Sequence, residues 1–583
     1  MVSIINTLKW TKKLSNLIIK KIEYMSNKLK QEKIREHNGT KYIFVVGGVM
    51  SGVGKGVTAA SIALVLQSYG FKVSAIKMDP YVNVDAGTMN PIEHGEVFVT
   101  EDGDETDQDI GNYERFLNTT IYKENYMTTG RIYQSVIEKE RNLAYRGKCV
   151  QVVPHIPIEI RERILKAVSK TKAEIMIIEI GGTVGEYENL IFLEAARVLK
   201  LYKPKDVLFV MVSYLPVPNK IGEMKTKPTQ HAVKSLNTAG IQPDFIVARS
   251  DKPIDLSRKE KISVNCNISL DNVIAAPDVS SIYDVPINFE KEKIGLRILK
   301  ALNLDSKYKE ADIKKWKKMT SSIKSSEHAV DIAIVGKYFK TGDYSLTDSY
   351  ISVIEALKHA GAYNNCKINL HWLNTEDIEN NGIDNLKNYS GFVVPQGWGK
   401  RGSEGKIKVI KYCRENNVPY FGLCYGMQMA VIEFARNVLG REKANSEEID
   451  PKSPDLVIHF MPEQTSLIAE KGYGGTIRLG AWPCKLKENS RLKKAYTKFK
   501  DSDIVLERHR HRYEFNNEYR NLLESKGLTI SGMSPDGKIV EAIEISNHPF
   551  FIGVQFHPEY ISRPLDPHPL FVEFISVCKK RSK

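Results

Sequence analysis

Paired cysteines are missing from this sequence. Its seven, Cys149, Cys266, Cys366, Cys413, Cys424, Cys484 and Cys578, are scattered, which excludes a disulfide framework and a zinc-ligand pattern and fits a reducing, cytoplasmic compartment. Internal repeats and extended low-complexity tracts are also lacking, so solenoid and collagen-like architectures fall away. What is present is a 583-residue chain, 42% hydrophobic and 26% charged, the composition of a globular protein with two or three domains. Its formal charge is +14, but the first 41 residues set ten Lys/Arg against only Glu23, Glu32 and Glu36, which accounts for half of that excess. A general basic surface for nucleic acid is therefore not expected.

The N-terminal extension, 1–40, stands apart. Ile4, Leu8, Leu14, Leu17, Ile18, Ile22, Met25 and Leu29 recur among lysines at roughly helical spacing, so two readings stay open, a poorly ordered tail and a basic amphipathic helix. Its apolar runs are too short and interrupted for a membrane span or a secretory signal core, and no membrane contact is expected of it.

Beyond the extension, buried strands are predicted at 42–46, 72–78, 174–180, 207–212 and 244–248, with helical patterns between them. That alternation predicts an α/β domain with a mainly parallel sheet over 41–303. Residues 304–328 are rich in lysine and serine and show no buried run, so they read as a linker or surface helix. A second α/β pattern fills 329–583, with strands at 330–336, 368–373, 391–395 and 418–423.

Two constellations carry chemistry. In the first, Gly47-Gly48-Val49-Met50-Ser51-Gly52-Val53-Gly54-Lys55-Gly56 follows a strand and opens a helix, the setting in which backbone N–H groups and a lysine grip a polyphosphate. Gly56 replaces the Ser or Thr whose hydroxyl usually holds magnesium, so carboxylates must serve instead. Glu179, at a strand end, is one source, and the acidic loop Thr100 to Asp109 is the other; taken alone, that loop is an ordinary solvated one. Lys225-Thr226-Lys227-Pro228-Thr229-Gln230-His231 is a second cationic cluster, and Lys77 and Lys261 are further candidate phosphate contacts.

The second constellation centres on Gly422-Leu423-Cys424-Tyr425-Gly426, directly after an apolar strand. A buried cysteine is ordinarily a small hydrophobe. Small flanking residues, however, let the chain turn sharply from strand to helix, which lifts the thiol off the sheet and aims a helix N-terminus at it. Gln555-Phe556-His557-Pro558-Glu559 supplies a base and a carboxylate that orients it, placed on one side by extended spacing. The N–H of Tyr425 and the turn Pro395-Gln396-Gly397-Trp398-Gly399 are the candidate oxyanion donors.

With both constellations assembled, the chain from about Lys41 to Phe574 resembles the CTP synthases. GGVMSGVGKG (47–56), KMDPYVNVDAGTMNPIEHGEVFVTEDGDETDQD (77–109), TTGRIY (128–133), EIGGTVGE (179–186), KTKPTQH (225–231), FGLCYGMQ (421–428), ANSEE (444–448), GGTIRLG (474–480), ERHRHRYE (507–514) and QFHPE (555–559) carry the match. The resemblance implies a P-loop amidoligase domain of the dethiobiotin-synthetase-like kind, fused to a class I glutamine amidotransferase domain. Cys424 would attack glutamine, with His557 as base and Glu559 as its partner. Ammonia would cross an internal passage to a UTP activated by ATP at its 4-oxygen.

Residue by residue, the resemblance assigns Gly52, Val53, Gly54, Lys55, Gly56 and Val57, with Asp109, Pro277, Asp278 and Val279, to ATP, and Asp109 and Glu179 to magnesium. Ser51, Lys225, Thr226, Lys227, Pro228, Thr229, Gln230 and Lys261 would contact UTP, and Glu186, Tyr187 and Glu188 would form the CTP feedback pocket. Gly397, Tyr425, Gly426, Met427, Gln428, Glu448 and Arg512 would bind glutamine. Activation by GTP, a homotetramer and, in many members, filaments are also implied. One departure stands out: the family has Pro-Gly-Gly-Phe-Gly where this chain has Gln396 and Trp398. A left-handed backbone at the first glycine would cost a glutamine about 1–2 kcal/mol and slow glutamine hydrolysis. The rival readings are another glutamine-dependent amidoligase, of the cobyrinic-acid type, and an inactive filament-forming homologue. KTKPTQH and TEDGDETDQD speak against the first, and the presence of Lys55, Asp109, Glu179, Cys424 and His557 against the second.

Overall fold

Strands apolar on both faces must lie between layers of helix, and the computed structural model places them so. It describes residues 39–220, 222–308, 310–341, 344–345, 348–382, 386–460 and 477–582. The candidate helix of residues 1–38 and the start of the GGTIRLG segment lie outside them.

The first sheet contains β1 (Lys41–Gly48), β2 (Val73–Asp79), β3 (Tyr126–Thr128), β4 (Ile175–Ile180), β5 (Val207–Tyr214), β6 (Phe245–Ser250) and β7 (Val273–Pro277). Their order is β3-β2-β4-β1-β5-β6-β7, with every recorded pairing parallel. The strand carrying the glycine-rich turn is thus central. Helix α1 (Lys55–Ser68) is apolar nearly all round and almost wholly buried, as befits a helix wedged between the sheet and its neighbours. Helix α2 (Gln108–Leu117) packs beside it; Asp107 caps it, accepting from the amide of Asp109 at 2.8 Å.

Of the two readings of 304–328, a linker and a surface helix, the helix is present, with a buried face that the sequence did not suggest. Helix α3 (Lys314–Ser325) is exposed along its lysines, but Ile313, Trp316 and Met319 are buried in the core of the first sheet. The Trp316 indole N–H donates to the carbonyl of Tyr283 at 2.8 Å. Spacing of three hides these residues among lysines when the segment is searched for continuous apolar runs.

The second sheet contains β8 (Ala329–Gly336), β9 (Lys367–Asn374), β10 (Gly391–Val394), β11 (Tyr420–Leu423), β12 (Arg478–Leu486), β13 (Ile504–His511), β14 (Leu528–Met533), β15 (Val540–Ile545) and β16 (Phe551–Val554). Its order is β9-β8-β10-β11-β16-β15-β14-β12-β13. The first five strands run parallel, and the remaining pairings are antiparallel. Helices α4 (Ser403–Glu415) and α5 (Tyr425–Asn437) follow β10 and β11.

The two bodies meet through buried charge. Arg508 on β13 makes two 2.9 Å bonds to Glu114 of α2, and Arg563 adds another at 2.9 Å. Burial opposes the charge on Glu114, but the two guanidinium groups hold its carboxyl below the ordinary range. Tyr283 of the first body bonds Glu355 at 2.5 Å and His359 at 2.6 Å in the second. Breaking such a buried pair leaves an uncompensated charge, so these contacts fix the mutual orientation.

Candidate active sites

Both sites lie at the carboxyl ends of parallel strands, where open α/β sheets present ligands. At the end of β1, Val49, Gly52 and Gly54 take positive φ (80°, 68° and 86°), and these turn the loop before α1 begins. Lys55 Nζ donates to the carbonyl of Gly182 at 2.9 Å, and the amide of Val184 donates to Gly47 at 2.8 Å. The glycine-rich turn is thereby tied to the loop after β4. Arg249, near the carboxyl end of β6, donates to the carbonyl of Val53 at 3.1 Å and pairs with Asp278, which places Pro277, Asp278 and Val279 beside the cradle.

Gly56 now has a physical reason. A Cβ at this position would overlap the Asp109 carboxylate, so the acid stands where a Ser or Thr side chain would otherwise project. Asp109 pairs with Lys77, whose Nζ also lies 2.9 Å from Glu179, 3.7 Å from Asp79 and 3.8 Å from Asp107. Burial opposes charge on Lys77, but these four carboxylates hold it well above the ordinary range. Among the described residues no three His, Cys, Asp or Glu side chains form a ready metal cluster. The rest of the acidic loop does other work: Asp104 binds Arg131 at 2.7 and 2.8 Å, and Glu105 binds Arg510 at 2.8 Å.

The remaining nucleotide candidates divide between buried and exposed positions. Thr229 is buried and bonds Ser213 at 2.8 Å, and Gln230 donates to Thr226 at 3.2 Å. Lys225 pairs with Glu223 at 2.6 Å, while Ser51 and Lys261 are exposed. Glu186 accepts from the amide of Thr183 at 2.8 Å, Glu188 is exposed, and Tyr187 is 90% exposed.

The thiol site is closed by comparison. Cys424, only 4% exposed, has φ 51° and ψ −101° at the turn from β11 into α5, a strained conformation that persists only where its surroundings over-determine it. They do. A Cβ on Gly426 would overlap the carbonyl of Val394, one on Gly422 would overlap the Tyr420 hydroxyl, and the amide of Cys424 donates to Val554 at 2.7 Å. The thiol lies 3.7 Å from the carbonyl of Arg510 and 3.6 Å from Gln555 Nε2.

His557 Nδ1 bonds Glu559 at 2.7 Å, while its Nε2 is buried and makes no hydrogen bond. Here the backbone is not extended as expected: Pro558–Tyr560 is a 3-10 turn, and the pair meets through that turn. Burial alone would lower the imidazole, but Glu559 and Cys424 outweigh it and raise it to about 10. The ring therefore holds its proton at neutral pH.

The strain expected at Gln396 is absent. It is not among the described residues with positive φ; in this turn that conformation falls on Gly399, at 69°. Two buried lysines that sequence reasoning missed hold the turn from below. Lys406 donates to Pro395 at 2.7 Å, and Lys337 donates to Trp398, to Gly399 at 3.0 Å and to Arg401 at 3.1 Å. Burial pushes Lys337 down to about 8. Both ammonium groups lie over the Tyr425 ring, at 4.9 and 5.2 Å. Glu448 accepts from the amide of Gly399 at 2.8 Å, and Gln428 donates to Tyr513 at 2.9 Å. Nothing in the sequence distinguishes Lys406 from a surface lysine of an amphipathic helix. Arg510 joins the two sites, with its carbonyl at the thiol and its guanidinium on Glu105, two residues before Asp107.

Comparison with known proteins adds independent findings. A family model described as CTP synthase N-terminus matches residues 41–304, and one described as glutamine amidotransferase class-I matches 345–577. A CTP synthase of Caldanaerobacter subterraneus subsp. tengcongensis is 52% identical, over 92% of this chain and 97% of its own length. One from Carboxydothermus hydrogenoformans is 51% identical, over 93% and 99%. Among solved structures, the glutaminase domain of a Trypanosoma brucei CTPS with bound acivicin is 36% identical, covering 43% of this chain and 94% of that one, with a TM-score of 0.39.

Proposed function

Because the chain belongs to the CTP synthase family, glutamine-hydrolysing ligases that use ATP to convert UTP to CTP in pyrimidine biosynthesis, we propose that its two sites divide that reaction between them. The observation that carries this reading is the buried Cys424, held at φ 51° between strand and helix, beside the His557–Glu559 pair.

In the thiol site, His557 holds the proton that Cys424 gives up. The thiolate attacks the side-chain carbonyl of a glutamine bound by Gly397, Tyr425, Gly426, Met427, Gln428, Glu448 and Arg512. The oxyanion is met by backbone N–H groups at Tyr425 and the 395–399 turn. The imidazolium protonates the departing nitrogen, ammonia leaves, and neutral His557 then draws a proton from the water that cleaves the thioester.

In the nucleotide site, Lys55 and the amides from Gly52 to Val57 hold the ATP phosphates, with Pro277, Asp278 and Val279 alongside. Asp109 and Glu179 would hold magnesium. Their carboxylates already converge on one cation, Lys77, and oxygen donors completed by phosphate and water suit this hard ion, which neutralises phosphate charge when bound. Ser51, Lys225, Thr226, Lys227, Pro228, Thr229, Gln230 and Lys261 bind UTP. The γ-phosphoryl group passes to the UTP 4-oxygen; ammonia adds at that carbon, phosphate leaves with the oxygen, and CTP remains.

Feedback by CTP through Glu186, Tyr187 and Glu188, activation by GTP and a homotetramer belong to the same reading. The exposure of Tyr187 fits a pocket completed by another copy. A cytoplasmic location fits seven free cysteines, and no helix among the described residues is long and apolar enough to cross a membrane. The test is UTP labelled with oxygen-18 at position 4, supplied with ATP, magnesium and ammonium. The label is expected in inorganic phosphate, and unlabelled phosphate accompanying CTP would overturn the phosphorylated intermediate.

A further inference from the structure

The segment from Pro91 to Val97 belongs to the first body, yet five of its polar contacts reach the second. The Ser349 hydroxyl donates to the carbonyl of Pro91 at 3.1 Å, and the amide of Glu96 donates to Asp348 at 3.1 Å. The Glu96 carboxylate accepts from the amide of Ser352 at 3.1 Å through one oxygen and from Gln396 Nε2 at 3.3 Å through the other. The carbonyl of Val97 accepts from the Tyr560 hydroxyl at 3.0 Å. Tyr560 in turn stacks on His557, ring centroids 4.8 Å apart and planes within 10°. One short segment therefore touches the oxyanion turn at Gln396 and the stacking partner of the imidazole.

We propose that Glu96 is a positioning residue for the thiol site. Acting through Gln396, it holds the 395–399 turn in place, so that glutamine hydrolysis depends on the first body being seated against the second.

The chemistry of the contact supports this. Glu96 is 3% exposed and makes no ion pair with Lys or Arg among the described residues. A buried carboxylate in that state relies on its hydrogen-bond donors, and Gln396 is one of the two donors to its side chain. The Gln396 amide is oriented by this contact alone, because its Oε1 is buried and makes no hydrogen bond. A glycine at this position, as in the Pro-Gly-Gly-Phe-Gly pattern, has no side chain with which to form the link. The absence of backbone strain at Gln396 leaves the side chain as the consequence of the substitution. Lys406 and Lys337 fix the turn from within the second body; Glu96 fixes it from outside.

This inference rests on the proposed function of the thiol site. The test uses the full chain and the variants Gln396→Met, Glu96→Met, their double variant and Glu96→Gln, with glutamate release and CTP formation measured on glutamine and on ammonium. Gln396→Met and Glu96→Met are each expected to lower kcat on glutamine about ten-fold, the effect of losing a hydrogen bond to a charged group. KM for glutamine and turnover on ammonium should hardly move. The double variant should be no slower than either single one, as members of one link are not additive. Glu96→Gln should stay within about two-fold of wild type, since a turned-over Gln396 amide accepts from the new side chain while Ser352 keeps its acceptor. Unchanged kcat in Gln396→Met, or losses that multiply in the double variant, would overturn the proposal. A wild-type chain that releases no glutamate would instead overturn the function on which it rests, a result distinguishable from the first.

Discussion

The thiol site and the phosphate cradle occupy equivalent ends of two parallel sheets, but they are built to opposite degrees of completion. Cys424, His557, Glu559, Gln555, Lys337 and Lys406 are all buried, and His557 and Glu559 are already at hydrogen-bond distance. Across the interface, the cradle has a finished floor, where four acids converge on Lys77, and an unfinished rim, where Ser51, Lys261 and Tyr187 stand in solvent. Covalent catalysis needs groups placed before the substrate arrives. Polyphosphate recognition needs charge and open space, and the ligand completes the site. Substitutions in the first site should therefore act on kcat, and substitutions at the rim of the second on KM.

The sharpest division comes from Cys424→Ala. Turnover on glutamine should fall at least about a thousand-fold, the scale for losing a nucleophile, while turnover on ammonium persists in a coupled CTP assay. Equal loss on both nitrogen sources would erase the comparison. Gly56→Ser should act on the other side: its Cβ displaces Asp109, and CTP formation from either nitrogen source should drop about a hundred-fold, the scale for a displaced metal ligand or phosphate contact.

A smaller effect is expected from Glu559→Gln. His557 titrates at about 10 against an ordinary 6.5, so the stabilisation from its charge is complete below about 6.5 and is lost as pH rises through about 10. Removing the carboxylate should move the basic limb of the glutaminase pH profile toward neutrality and lower kcat about ten-fold. The smallest change should follow Lys225→Ala. At this half-buried, carboxylate-paired position, KM for UTP should rise about three-fold with kcat unchanged, as for a contact made equally in ground and transition states.

Much of this was legible in the sequence because burial on both faces leaves a mark. The strands at 41–48, 175–180 and 420–423 lie within a residue or two of their apolar runs, and glycines bracket both reactive turns. The antiparallel half of the second sheet escaped notice for the opposite reason. Glu507, Arg508, His509, Arg510 and His511 are all buried on β13, but a run of charges reads as surface until its partners, Glu114, Glu105 and Glu541, are brought to it by folding. Strand β3 has only three residues, too few to show a period. Lys337 and Lys406 are silent in the sequence because their partners are carbonyl groups, which every residue carries. Gln396 stood out as a departure, but its meaning depended on a carboxylate 300 positions away.

The interlocking of Gly56 with Asp109 also constrains how this cradle can diverge. A hydroxyl side chain at position 56 is excluded while the aspartate stays, and shortening the aspartate first removes the acid before a substitute ligand exists. Neither position can change ahead of the other without loss, so lineages that inherit this pair are expected to keep both or replace both together.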